Sequence, residues 1–216
     1  MGAITRSVAN GITTNGVVLK SIINNDSFDN VTALPSSLGD GITLISSQTA
    51  SNSASLSFTS GLDSTYKAYK FLLVNIHART DNVSFAFQGS TNGGSSYGIA
   101  ITSTHFYSLH NEADSATALS YNGAVDLAQS TSFQEFQQNW GSDADQSGSG
   151  ELTLFNPSST TYVKHFISRV NNYHSADYST DVYNAGYFNT TSAINAIQFK
   201  MLSGNMDGTI YLYGIK

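Results

Sequence analysis

The chain has no cysteine and only two prolines among its 216 residues. Without cysteine it cannot form disulfide bonds or bind metal ions through thiolates, so packing alone must hold the fold. With so few prolines, most turns must be made by the 18 glycines and by Asn, Asp and Ser.

Charged side chains are also scarce, at 11% of residues, well below the roughly one quarter that is usual in soluble domains. Fifteen acidic residues outnumber nine basic ones, which gives a formal charge of −6. Because proteins bind nucleic acids largely through clustered Lys and Arg, this balance argues against a nucleic-acid partner.

Long apolar segments are missing as well. No run reaches the roughly 18 residues that a membrane helix needs, and residues 1–20 lack the apolar core of a secretory signal. We therefore expect no membrane partner and a protein that is soluble where it is made.

The chain is instead rich in short apolar runs with a period of two residues, which is typical of β-strands. Residues 69–76 form the most apolar run and predict a central strand that is buried on both faces. At the C-terminus, residues 196–201 and 209–213 predict two strands that a turn at 203–208 joins into a hairpin. The second of these strands is expected to be central.

One helix is predicted, around residues 132–139, because Phe133, Phe136 and Trp140 are three and four residues apart. Elsewhere, short strands separated by turns predict an all-β fold, an antiparallel β-sandwich of jelly-roll type. An immunoglobulin-like sandwich is the alternative.

The sequence predicts a boundary near residue 40, where Pro35 precedes a Gly-Asp-Gly turn. Residues 1–40 carry short apolar clusters that do not specify a strand register, which predicts an extended N-terminal arm. An ordinary first pair of strands fits these residues equally well. Residues 41–216 are expected to form a single sandwich domain.

The sequence contains no pattern that combines a nucleophile, a base and an orienting group, so we expect neither an enzyme nor a cofactor. Residues 143–148 resemble the start of a calcium loop, with Asp143 and Asp145 at alternate positions and Glu151 nearby. The twelfth position of such a loop needs a bidentate acid, and here it is Leu154. The three acids are thus candidates for a loosely held ion, and a plain surface turn is the simpler interpretation.

Tyrosine is concentrated between residues 171 and 189. The four tyrosines Tyr173, Tyr178, Tyr183 and Tyr187 could form an aromatic platform for a sugar ring or a subunit contact, because each offers an apolar face with a polar tip. Ordinary loop packing is the alternative.

Four segments together resemble a family of virion proteins from tailed bacteriophages, marine phages in particular. These segments are residues 69–77, 89–97, 154–157 and the ending GTIYLYGIK at 208–216. The likeness extends over nearly the whole chain. It implies a virion component with a jelly-roll-like body, and it implies no catalytic residues.

The expected function is that of a capsid decoration or cement protein, a homotrimer that binds the major capsid protein or other virion proteins. Extended arms and sheet edges suit such a role, because neighbouring subunits on a symmetric shell can cover them. The alternative is a tail or tail-fibre component, an adaptor whose sandwich binds a host-surface glycan.

Overall fold

The computed structural model describes residues 41–216, so the expected arm at residues 1–40 lies outside the described part. Residues 42–216 form one compact unit. Within residues 41–216 no helix is long and apolar enough to cross a membrane. The strands are β1 (Ile42–Ser53), β2 (Leu56–Phe58), β3 (Ala68–Ala78), β4 (Val83–Ser90), β5 (Ile101–Asn111), β6 (Thr117–Tyr121), β7 (Gln134–Trp140), β8 (Gly148–Phe155), β9 (Lys164–His174), β10 (Tyr178–Phe188), β11 (Ala196–Met201) and β12 (Met206–Ile215).

Eight of these strands pair in the nested order of a jelly roll. The first pairs with the last, β1 with β12, and then β2 pairs with β11, β3 with β8 and β4 with β7, all antiparallel. These pairs form two layers, ordered β1-β12-β3-β8 and β2-β11-β4-β7. The predicted all-β antiparallel sandwich is therefore confirmed, and its strand order is that of a jelly roll rather than of an immunoglobulin domain.

The other four strands extend the first layer. They enter the chain in two places, β5 and β6 after β4, and β9 and β10 after β8. In space they form one block, in which β8 pairs with β9, β9 with β10, β10 with β5, and β5 with β6. We call β1-β12-β3-β8-β9-β10-β5-β6 the large sheet and β2-β11-β4-β7 the small sheet. Within residues 41–216, strand pairing links the two sheets at one position, Trp140 with His174.

An aromatic core fills the space between the two sheets. Phe71 of the large sheet contacts Phe199 of the small sheet, with ring centroids 5.1 Å apart, and Phe87 contacts Phe136 at 4.7 Å. All four side chains are fully buried. Ring contacts of this kind add to the free energy gained from burying apolar area.

Strand β3 is central, as predicted, since β12 and β8 flank it. The prediction that both of its faces are buried is only half right. Tyr69, Phe71 and Leu73 are buried, whereas Lys70 and Leu72 on the opposite face are only partly covered. The large sheet therefore has one side in the core and one side turned outward.

The predicted C-terminal hairpin is wrong, although both of its strands exist. Strand β11 pairs with β2 and β4 in the small sheet, whereas β12 lies between β1 and β3 in the large sheet. The turn after β11 therefore carries the chain from one sheet to the other. In a nested order a strand pairs with a partner far away in sequence, which local alternation does not indicate.

The predicted helix at 132–139 is also wrong, because residues 134–140 form β7. Phe136 and Trp140 are both fully buried in the core, and their spacing of four residues is also typical of one side of a helix. Register shifts opposite Phe85 and a φ of 59° at Asn139 disturb the regular alternation of β7. These irregularities hid the two-residue period.

Candidate interaction surface

The outward side of the large sheet, which we call the outer face, carries most of the exposed large apolar side chains of residues 41–216. Nine large apolar side chains are exposed among the described residues. Strand pairing places seven of them on the outer face: Ile42, Leu44, Phe106, Leu119, Tyr121, Phe155 and Ile167. Large exposed apolar side chains gathered on one face indicate a site of protein association or ligand binding.

An aromatic row crosses the block of inserted strands on this face. The register aligns Tyr121 of β6, Phe106 of β5, Tyr183 of β10 and Arg169 of β9. The Phe106 and Tyr183 rings stack with centroids 4.9 Å apart, and the Arg169 guanidinium lies 5.0 Å from the Tyr183 centroid. Both faces of the Tyr183 ring are therefore occupied, by a ring on one side and a cation on the other.

The charges in the middle of the outer face are paired. Arg169 donates from Nε and Nη2 to the two carboxylate oxygens of Asp181, at 3.0 and 2.8 Å, and this raises the pKa of the guanidinium. Lys70 Nζ lies 2.8 Å from Glu151 Oε2. Two cations and two anions thus neutralise each other within the face. The exposed apolar side chains therefore determine the character of this surface.

A first depression of about 490 Å³ lies near one end of the face. Its walls include Phe155, His165 and Tyr187, and its floor is formed by Ala185 and Gly186. The His165 and Tyr187 rings meet edge to face at 5.9 Å. The depression exists because Ala185 has a small side chain between Tyr183 and Tyr187, which share the outer side of β10 with it.

A second depression, of about 380 Å³, lies where β9 turns into β10. It is lined by His110, Glu112, Tyr173 and Tyr178, together with asparagine and serine side chains. The Glu112 carboxylate raises the pKa of Tyr173 to about 12, with smaller contributions from burial and from nearby acids such as Asp177. The Tyr173 hydroxyl donates a hydrogen bond to Asp177 Oδ1 at 3.4 Å.

The four predicted tyrosines lie close together in the fold but do not form one platform. Tyr183 and Tyr187 lie on the outer face of β10, four residues apart. Tyr173 and Tyr178 line the second depression, where the Tyr178 ring also contacts His174 with centroids 5.4 Å apart. Of the four, Tyr187 lines the first depression and Tyr183 is enclosed in the aromatic row.

The three acidic residues that the sequence suggested for an ion do not form a shared site in the described part. Glu151 is paired with Lys70 on the outer face. Asp143 and Asp145 lie in the loop before β8, which closes as a turn through a hydrogen bond from Gln146 N to Asp143 O at 2.9 Å. Among residues 41–216 no group of three His, Asp or Glu side chains is placed to hold a metal ion.

Several residues of the outer face were missed from the sequence, including Phe106, Phe155 and Ile167. The sequence of β9 does indicate such a residue. Phe166 and Val170 take the buried positions of this strand, and the apolar Ile167 occupies a position between them, on the opposite side. An apolar residue on the polar side of an alternating strand indicates a second, partly covered face. No sequence pattern indicated the aromatic row, because its members lie in two inserted segments that are far apart in the chain, β5–β6 and β9–β10.

Neither a search against models of protein families nor a comparison with curated proteins gave a match to the chain.

Proposed function

We propose that the chain is a non-enzymatic structural protein of a bacteriophage virion, a decoration or cement protein that binds the major capsid protein through the outer face. The observation that carries the proposal is the concentration of seven of the nine exposed large apolar side chains on that one face. The sequence resemblance to phage virion proteins supports a role in a phage particle. The jelly roll suits it too, since this fold recurs in viral capsid proteins and in lectins.

The composition of the face suits a protein partner. The centres of protein interfaces are enriched in aromatic residues and Arg and contain few unpaired charges. The row of Tyr121, Phe106, Tyr183 and Arg169 has this composition, and the Arg169 charge is already paired with Asp181. A partner can therefore cover the face without burying an unpaired ion.

The first experiment locates the protein on intact particles of the phage that encodes it, by immuno-electron microscopy. Label spread over the head supports decoration. Label confined to the tail contradicts it and favours the alternative given below, and unlabelled particles contradict both.

A binding experiment then tests the face. Ile167 is 55% exposed near the middle of the outer face, and an acidic side chain there would have to be desolvated on docking. We expect Ile167→Asp to lose at least tenfold in affinity for purified heads in a co-sedimentation assay. Leu202→Asp is the matched control, because Leu202 is 44% exposed in the turn after β11, away from the face. Equal binding by both variants would contradict docking through this face.

A second candidate function is that of a tail component or adaptor that binds a host-surface glycan. The two aromatic-lined depressions favour it, because sugar rings pack against aromatic side chains and bond to neighbouring polar groups. Glycan-array binding should then be lost in Tyr187→Ala for the first depression or in Tyr178→Ala for the second. Tyr162→Ala, an exposed tyrosine that lines neither depression, should keep it.

A further inference from the structure

The two ends of the large sheet differ in how they are protected. Strand β1 has register shifts between Leu44 and Ser46 and between Ala50 and Ser53, and Asn52 has a φ of 52°. Bulges of this kind prevent an edge strand from pairing with another chain. At the other end, β6 pairs with β5 in unbroken register and has neither a charged residue nor a proline.

All five residues of β6 are exposed, and Leu119 is the most exposed large apolar side chain of the described residues, at 78%. Tyr121 is 55% exposed. Natural edge strands are usually shortened, charged, bulged or covered, because a free edge recruits other strands. Strand β6 is short, but within the described part of the chain it has none of the other protections.

The backbone of β6 presents a regular set of hydrogen-bonding groups on its open side. Asn111 N donates to Ala116 O at 3.1 Å, and Asn122 N donates to His105 O at 2.9 Å, one at each end of the strand. Because antiparallel bonding alternates along a strand, residues 118 and 120 bond to β5. The N–H and C=O groups of residues 117, 119 and 121 therefore point away from the sheet.

We propose that this edge pairs with β6 of a second copy of the chain, antiparallel and across a two-fold axis. Leu119 then lies opposite Leu119 of the partner, and Thr117 lies opposite Tyr121 of the partner. The pairing satisfies the outward backbone groups of both copies and joins the two large sheets into one. It also makes the two outer faces continuous, so the apolar surface that is proposed to bind the capsid is doubled.

A second copy suits this edge better than a charged peptide. The strand itself carries no charge, so two copies do not repel each other. The acidic residues that precede and follow β6 most closely in the chain are already bonded: Asp126 accepts a hydrogen bond from the Tyr121 hydroxyl at 2.5 Å, and Asp114 bonds to His110 Nε2 at 3.0 Å. An isologous contact has two-fold symmetry and predicts a dimer, rather than the trimer expected from the sequence.

The test measures the mass of the full chain in solution by light scattering after size exclusion, with circular dichroism to confirm folding. The wild type should be a dimer at micromolar concentration. Leu119→Lys places two lysines opposite each other and should give a folded monomer, whereas the control Leu202→Lys should stay dimeric. A monomeric wild type, or a Leu119→Lys variant that remains a dimer, would overturn the inference.

Because the chain is free of cysteine, single cysteine variants give an independent readout. Cα atoms of a hydrogen-bonded antiparallel pair lie about 5.5 Å apart, within the range for a disulfide. Leu119→Cys should therefore form a covalent dimer under mild oxidation much faster than Leu202→Cys, and equal rates would contradict the pairing.

The inference rests on the proposed function only for its biological setting, and the two can fail separately. A monomeric wild type that still binds heads overturns the β6 pairing and leaves the decoration role standing. A Leu119→Lys variant that stays dimeric but loses binding to heads shows instead that β6 receives a strand of another virion protein, which also overturns the pairing of two copies.

Discussion

The rings of Phe106 and Tyr183 stack almost in parallel, with centroids 4.9 Å apart and 3° between their planes. The two residues face each other across the pairing of β5 with β10. Each belongs to a different insertion into the jelly roll, one after β4 and the other after β8. Their contact therefore ties together two parts of the chain that no jelly-roll strand pairing connects.

This stacking should be measurable as a coupling free energy. In a double-mutant cycle of Phe106→Ala and Tyr183→Ala, we expect the free energies of unfolding to deviate from additivity by about 0.5–1.5 kcal/mol. Urea denaturation of the two single variants and the double variant gives this quantity. As a control, Phe106→Ala is combined with Tyr211→Ala, because Tyr211 lies five strands away from Phe106 in the large sheet. The changes in the free energy of unfolding of this pair should add within about 0.5 kcal/mol. Equal coupling in both cycles would contradict a specific ring contact.

The extended sheet leaves no room for a side chain at Gly186. A Cβ atom there would lie 2.6 Å from Thr102 O and 2.8 Å from the Phe166 ring. Because the first neighbour is backbone, it cannot move aside easily, and we expect Gly186→Ala to lower the free energy of unfolding by about 1–3 kcal/mol. Gly98 has open space around its Cβ position, so Gly98→Ala should change stability by less than about 0.5 kcal/mol. Chemical denaturation of both variants tests the difference.

Acid should destabilise the protein partly through His105. Its side chain is fully buried, and burial lowers the pKa of His105, although a contact between Nε2 and Phe136 O at 3.3 Å and the charge of Asp126 act in the other direction. The unfolded histidine takes up a proton near pH 6.5. Below that pH the unfolded state binds more protons, so the free energy of unfolding falls as pH falls.

The measurement is the thermal midpoint between about pH 7.5 and pH 5, a window that spans the ordinary histidine pKa. Burial also lowers the pKa of His174, so both residues contribute to the slope. His105→Gln should therefore reduce, without abolishing, the fall of the thermal midpoint as the pH is lowered. A slope identical to that of the wild type would show that His105 does not resist protonation in the folded state.

At alkaline pH, Lys164 should make the free energy of unfolding rise as the pH rises. Its side chain is fully buried, and Nζ donates to the backbone oxygens of Tyr162 at 2.8 Å and Thr190 at 3.0 Å. Burial lowers the pKa of Lys164. The folded state releases this proton before the unfolded state, whose lysine pKa is about 10.4, so stability should rise with pH as that value is approached.

Urea denaturation between about pH 8 and pH 9.5, below the ordinary tyrosine pKa of about 10, measures this rise. Lys164→Met should remove it. Lys67→Met, which removes an exposed lysine, is the control and should retain the rise. Loss of the rise in both variants would exclude Lys164 as its source.

Much of the fold follows from local patterns in the sequence. The alternation in residues 196–201 predicted β11 with the bounds that the structure has. The expectation that glycines make many of the turns also agrees with Gly93 and Gly94, which have φ values of 70° and 87°. Such features depend only on neighbouring residues, so a single sequence is enough to indicate them.

The outer face could be predicted only in part. Tyrosines were recognised as candidates by their density, and the structure places Tyr183 and Tyr187 on the outer face. The partners that determine what Tyr183 can do, Phe106 and Arg169, come from other strands and gave no local signal. Likewise, Glu151 was considered as an ion ligand, but its register with β3 places it beside Lys70.

By itself, the sequence determined that the chain folds into β-strands, that β3 and β12 are central, and that neither disulfides nor thiolate metal sites contribute. Those properties depend on composition and on a period of two residues. Only the tertiary structure decided the nested pairing, the placement of both insertions in one sheet, and the row from Tyr121 to Arg169. The reason is physical: alternation specifies which side of a strand is buried, whereas the partner and register of a strand depend on contacts between residues far apart in the chain.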